Sequence, residues 1–221
     1  MLMTHRFVPA AKAMAPMLLL TPAAPAIGST VYALDDGAGN VGLGPPSSFD
    51  ADMLFGNYFY AQPGANIITE LSVALNELIP NEEFTMYLFD DPDDDGDPIN
   101  AQLVAEVSGT PLLDSQDGFN TFSIDPTEVS GGFFVGANVF ALGGVNRPAR
   151  VDPQGDATNS WLFYDGVINT GDLSQSGFIT RMDGPFVPIP GAFMVRAAGV
   201  PTPGTALVLA GAAGFAARRR R

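Results

Sequence analysis

The sequence predicts an all-β fold, an antiparallel β-sandwich of jelly-roll-like type, with a signal helix at the N-terminus and a short apolar helix at the C-terminus. Three observations predict it. The chain of 221 residues contains 25 glycines and 19 prolines, enough to punctuate it with turns throughout. Between the turns lie apolar stretches of strand length, rich in aromatic and β-branched residues. No amphipathic helical repeat separates them, so the strands are expected to pair with near neighbours rather than through helical crossovers.

The first element is 1–26. Arg6 and Lys12 give a positive start, Ala13–Leu20 a short apolar run, and Ala24-Pro25-Ala26 an A-x-A-like cleavage site. That order reads as a secretory signal peptide. The run is too short to be a spanning anchor, and Pro16, Pro22 and Pro25 interrupt it. The body, 27–199, is one domain's worth of chain. Its expected strands are Thr30–Leu34, Met53–Ala61, Ile67–Leu75 and Phe84–Phe89, followed by Leu103–Val107, Phe119–Ile124, Phe133–Leu142, Trp161–Tyr164 and Ala192–Ala197. Ile67–Ile79 also fits a helix, because Leu71, Leu75, Leu78 and Ile79 share helical spacing. Pro80 stops the run and strands surround it, so strand is expected.

Composition removes whole classes of chemistry. Cysteine is absent, and the only histidine, His5, lies in the leader. The body is therefore expected to hold no disulfide scaffold, no Cys- or His-ligated zinc, no thiol nucleophile and no Ser-His triad. All 24 acidic residues lie in the body, against Arg147, Arg150, Arg181 and Arg196, which leaves it at −20. Such a surface repels nucleic acid and anionic headgroups and attracts divalent cations. No nucleic-acid partner is expected.

The densest acidic segment is Asp90-Asp91-Pro92-Asp93-Asp94-Asp95-Gly96-Asp97. Asp91, Asp93 and Asp95 at alternate positions, then Gly96, match the opening of a calcium loop. There, carboxylates converge on one hard cation and glycine permits the sharp turn. Asp91, Asp93, Asp95 and Asp97 are thus candidate Ca2+ ligands. The match ends at Pro98 and at Gln102, which stands where an EF-hand needs glutamate, and no helix pattern flanks the loop. The expectation is a sandwich-type loop site closed by backbone carbonyls or Asn100; the alternative is a solvated acidic turn. Asp152–Asn159 is a second acidic loop, whose spacing fits no metal motif.

Trp161 and Tyr164 follow that loop and are candidate ligand-binding residues, since an aromatic beside polar groups can stack on a sugar ring. With a period of two, Trp161 and Phe163 share one face and Leu162 and Tyr164 the other, a pattern that also suits a buried strand. Enzymatic readings reduce to a pair of carboxylates in a groove, as in a glycoside hydrolase. No closely spaced glutamate pattern marks one, and no enzyme is expected.

Residues 200–221 form the last element. Pro201-Thr202-Pro203-Gly204 makes a turn, Thr205–Ala217 an apolar run, and Arg218, Arg219, Arg220 and Arg221 the end. The run has 13 residues. As a helix it reaches about 20 Å, short of the ~30 Å hydrocarbon core. The arginines would hold its end on the cytoplasmic side. This layout resembles the PEP-CTERM sorting signal: a Pro-x-Pro motif, a brief apolar helix and a terminal arginine cluster. The middle residue is commonly Glu in that family and is Thr202 here. A Leu-Pro-x-Thr-Gly cell-wall signal fits less well, because Val200 replaces its Leu and Pro203 its Thr.

The resemblance implies an exosortase-type processing enzyme as partner and transient membrane insertion through the tail, a short transmembrane helix. It also implies delivery to the cell envelope, cell surface or extracellular matrix of a Gram-negative-type bacterium that makes exopolysaccharide. Phe49–Tyr60, Ser130–Gly144 and Arg150–Tyr164 resemble, more loosely, uncharacterised secreted sandwich domains that precede such tails. That second resemblance brings no activity with it. The expected function is an exported structural or adhesive protein. The alternatives are a calcium-dependent carbohydrate (exopolysaccharide) binding module and, third, a carboxylate glycoside hydrolase.

Overall fold

Ala51–Tyr60 carries large apolar side chains on both of its alternating sets, and a strand of that kind needs cover on both faces. The computed structural model, which describes residues 28–79, 82–111, 118–164, 168–185 and 187–201, supplies that cover. In chain order the strands are β1 (Thr30–Tyr32), β2 (Val41–Leu43), β3 (Ala51–Tyr60), β4 (Ile67–Val73), β5 (Phe84–Asp91), β6 (Gln102–Gly109) and β7 (Asn120–Glu128). They continue with β8 (Gly132–Ala141), β9 (Ala149–Asp152), β10 (Ser160–Tyr164), β11 (Phe178–Arg181), β12 (Ala192–Phe193) and β13 (Val195–Val200). One sheet runs β11-β10-β3-β8-β5-β6, a second β1-β13-β4-β7, and a third β12-β9-β2. Every pairing is antiparallel.

The all-β expectation therefore holds for the described residues. Their only helical segments are three single-turn 3-10 pieces, Pro98–Asn100, Ala157–Asn159 and Leu173–Gln175. Each is opened by an aspartate (Asp97, Asp156, Asp172) whose carboxylate accepts the backbone N–H two residues on. Aspartate makes that local bond readily, which is why it starts turns. No helix among the described residues is long and apolar enough to cross a membrane. The expected signal helix and apolar tail helix lie outside the described residues.

The two faces of the six-stranded sheet bury different things. Met53, Phe55 and Phe59 of β3, Val135 and Ala137 of β8, and Met86 and Leu88 of β5 point one way. They meet Ile68, Leu71 and Val73 of β4, Val195 of β13, and Phe193 and Val151 of the three-stranded sheet. Full burial of each large side chain is worth about 1.5–3 kcal/mol, so this layer holds the sheets together. Leu54, Tyr58, Phe89, Phe134 and Phe163 point the other way and are capped by Ala101 and Leu173, beside two of the 3-10 turns. The double-sided apolar pattern of β3 and β10 follows from this second, smaller core.

A polar residue sits between the sheets. Asn57 is fully buried; its Nδ2 donates to the Phe193 carbonyl at 2.7 Å and the Val195 carbonyl at 2.9 Å, and its Oδ1 accepts from Ser160 Oγ at 2.7 Å. Both carbonyls flank Met194, where the chain leaves one sheet for another: Met194 N–H bonds to Arg150 O, and Met194 O accepts from Ala74 N–H. The single strand expected over Ala192–Ala197 is thus two, β12 and β13, in different sheets. The strand expected over Ile67–Leu75 is β4, ending at Val73, with Leu75 bridging alone to Ala149. β2, β9 and β11 were not anticipated, being only three or four residues long. β13 runs through Val200, which pairs with Ile67, so the last strand takes in the first residue of the expected tail.

Candidate functional site

β5 ends in a buried aspartate, and the acidic segment begins there. Asp91 is 1 % exposed and accepts a hydrogen bond from the hydroxyl of Tyr58, which reaches it across the intervening β8 on the same face. Burial first, and then this bond to a carboxylate, raises the Tyr58 hydroxyl above the ordinary tyrosine range. The loop beyond is set by local bonds: Asp91 Oδ1 accepts from Asp93 N–H at 3.4 Å and Asp95 Oδ1 from Asp97 N–H at 2.8 Å. Asp94 takes a left-handed conformation, φ +59°, and its carboxylate accepts from Gly132 N–H across the sheet. Asp90 accepts from both Ser130 N–H (2.9 Å) and Ser130 Oγ (3.0 Å). The Ser130-Gly131-Gly132 turn is therefore docked on the acidic loop. A Cβ at Gly132 would overlap the Tyr58 hydroxyl, and one at Gly131 the Asp94 carboxylate.

Asp91, Asp93 and Asp95 come together: one carboxylate oxygen from each lies within 4.8 Å of the others. Asp93 and Asp95 are exposed, and Asp91 forms the floor. A hydrogen bond shared with Asp91 raises the Asp93 carboxyl above the usual range. Three convergent oxygens on an anionic body suit a hard divalent cation, with waters and carbonyls filling the remaining positions. Two further expected ligands make other local bonds. Asp97 does not join the cluster; its Oδ1 accepts from Ile99 N–H at 2.9 Å and caps the following turn, and partial burial raises its carboxyl. Asn100 turns its amide nitrogen to Asp93, donating at 2.9 Å. The Asp97-Pro98 pair is itself a cap signature, legible in the sequence.

Trp161 and Tyr164 lie on opposite faces of β10, so they form no shared stacking platform. Trp161 is half-buried against the smaller core, and its indole nitrogen has no hydrogen-bond partner among the described residues. Tyr164 stacks on Phe49 (centroids 6.0 Å, interplanar 6°) and tilts against Phe178 at 4.7 Å. It also lines a cleft of about 740 Å³ that no sequence motif marks. Met53 and Leu162 also line it, with Arg147, Phe178 and Pro188 around them. Its walls come from six separated stretches of chain, 42–47, 53, 144–147, 162–164, 178–180 and 187–189, so no local sequence pattern marks it. No aspartate or glutamate is among its described lining residues. The cleft lies by Met53 and the acidic loop by Tyr58, at opposite ends of β3 and about 17 Å apart along the strand.

Of the expected sorting motif, Pro201 closes the described chain. Thr202, Pro203, Gly204 and Arg218–Arg221 lie outside the described residues, as does the expected leader 1–26. Scanned against known families and characterised proteins, the chain matches no family model and no curated sequence.

Proposed function

We propose that the chain is an exported protein of a bacterial cell surface or matrix, delivered by its leader, processed at its C-terminal tail, and structural or adhesive in role. The observation that carries this is the pairing of two routing segments around one all-β body with no cysteine or histidine. The strand orders support reading the body as a jelly roll. β1-β13-β4-β7 and β3-β8-β5-β6 are two four-stranded sheets that share out the chain, with β10 and β11 added to one edge. The partner of the tail, on this reading, is an exosortase-type enzyme. The test is deletion of Gly204–Arg221 followed by cell fractionation. Release of the truncated protein to the medium is expected; retention at wild-type level overturns the routing.

The convergence of Asp91, Asp93 and Asp95 favours a second reading, in which the surface role depends on calcium and extends to carbohydrate. An extracellular-type site has a Kd of about 10⁻⁴–10⁻³ M, so millimolar calcium stabilises the fold by about 1 kcal/mol. Thermal melts of the full chain with calcium, against sodium at matched ionic strength, test it. A calcium-specific rise that vanishes in the double variant Asp93→Ala, Asp95→Ala supports the reading. An equal rise in sodium, or in the variant, reduces the loop to a solvated turn.

A further inference from the structure

We infer that the cleft beside Arg147 binds a small organic monoanion with a flat apolar body, an aromatic carboxylate being the simplest form. Size is the first ground. About 740 Å³ falls within the range of small-ligand sites, roughly 300–1,000 Å³. The second is the lining. Met53 and Leu162 are apolar and buried, and the half-buried rings of Tyr164 and Phe178 with the flat face of Pro188 stand around them. Planar apolar walls select a planar apolar body.

The third ground fixes the charge. Three of the four arginines of the body are engaged. Arg150 Nε donates to Gly39 O at 2.7 Å, Arg181 pairs with Asp183 at 2.7 Å, and Arg196 grips Asp35 while lying 4.0 Å over the Phe119 ring. Arg147 is exposed on the cleft, and its guanidinium makes no ion pair or hydrogen bond among the described residues, on a body carrying −20. A guanidinium offers a planar fork that matches a carboxylate, and the described lining holds no acid to compete for it. The same surplus of negative charge sets an upper limit on ligand charge. At 0.1 M salt the body's field reaches about 10 Å and the repulsion grows with ligand charge, so a polyuronide or an acidic peptide is repelled far more strongly than a monoanion. The inference is independent of the routing and calcium readings, because the cleft and the acidic loop are at opposite ends of β3.

The test is calorimetric titration of the full chain with 2-naphthoate and with its neutral counterpart, 2-naphthylmethanol, at fixed ionic strength. Naphthoate is expected to bind at least tenfold more tightly than the alcohol. Arg147→Gln should bring naphthoate down to the level of the alcohol, and Arg181→Gln should leave it unchanged. Thermal melts check that both variants fold; if Arg147→Gln melts early, the acid–alcohol comparison on the unmodified chain decides alone. Equal binding of acid and alcohol, unchanged affinity in a folded Arg147→Gln, no naphthoate binding at millimolar concentration, or tighter binding of a galacturonate trimer each overturns the inference.

Discussion

The loops at 90–97 and 152–159 are both rich in aspartate and turn-forming residues, yet their electrostatics run in opposite directions. In the second loop the carboxylates are well supplied with donors. Buried Asp152 accepts from Gln154 N–H at 2.9 Å and Asp36 N–H at 3.0 Å. Asp156 accepts from Thr158 N–H, Thr158 Oγ1 and Asn159 Nδ2, and the Thr158 hydroxyl is the largest cause of its lowered carboxyl. In the first loop Asp91 and Asp93 face each other, and the Asp93 carboxyl moves up instead. Both loops supply donors to their acids. What separates them is that in the first one carboxylate faces another.

Four substitutions sharpen or break that contrast. Tyr58→Phe should have the largest effect, because it leaves the buried Asp91 carboxylate without its hydroxyl donor. A loss of about 2–3 kcal/mol in denaturant unfolding is expected; a loss under ~0.5 kcal/mol would mean that Asp91 is not held by that bond. Asp152→Ala strands two backbone N–H groups in the well-supplied loop and should cost about 1–2 kcal/mol by the same measurement. If it is silent, those donors do not hold the second loop.

Asp156→Ala removes a turn cap and should cost about 0.5–1 kcal/mol at neutral pH. Its pH dependence has a definite sign. The folded carboxyl is held below the unfolded one, so its stabilisation is complete above the unfolded value of about 4 and is lost as pH falls through the lower, folded value. Wild type and variant should therefore converge in acid. Asp93→Asn should have the smallest effect and the opposite sign. The folded carboxyl is raised, so its ionisation costs stability at neutral pH and the cost disappears as pH falls through that raised value. The variant should melt slightly higher than wild type in chelator, with the gain shrinking on acidification. A lower melting temperature in chelator would contradict the repulsion argument.

Much of the fold was legible because its strands are long and their periods clean. β3 and β8 each bury two alternating apolar sets, and the sequence shows both. β4 was separable from a helix because Pro80 closes the run. The break at Met194 was not legible, because Ala192–Val195 is apolar without interruption and the change of sheet is fixed by Arg150 and Ala74, far away in the chain. The same holds for sites. Asp91, Asp93 and Asp95 converge because they alternate within one turn, a local matter that the sequence shows. That Asp97 caps the next turn instead of joining them is harder to read, because capping and ligation use the same residue type. The Arg147 cleft could not be read, because its walls meet only when β2, β10 and β11 are assembled.

β13 gives the body a particular response to mechanical force. Thr30 of β1 pairs with Gly199 and Tyr32 with Ala197, so the chain enters and leaves the body side by side. Tension drawing residues 28 and 201 apart would open that short ladder one pair at a time, as a zip. β13 is gripped on its other side as well, by β4 along its whole length from Val195 to Val200. A pull along β13 from the tail would have to slide it against two neighbours at once, loading both ladders in shear. The same strand thus yields easily in one direction and resists in the other.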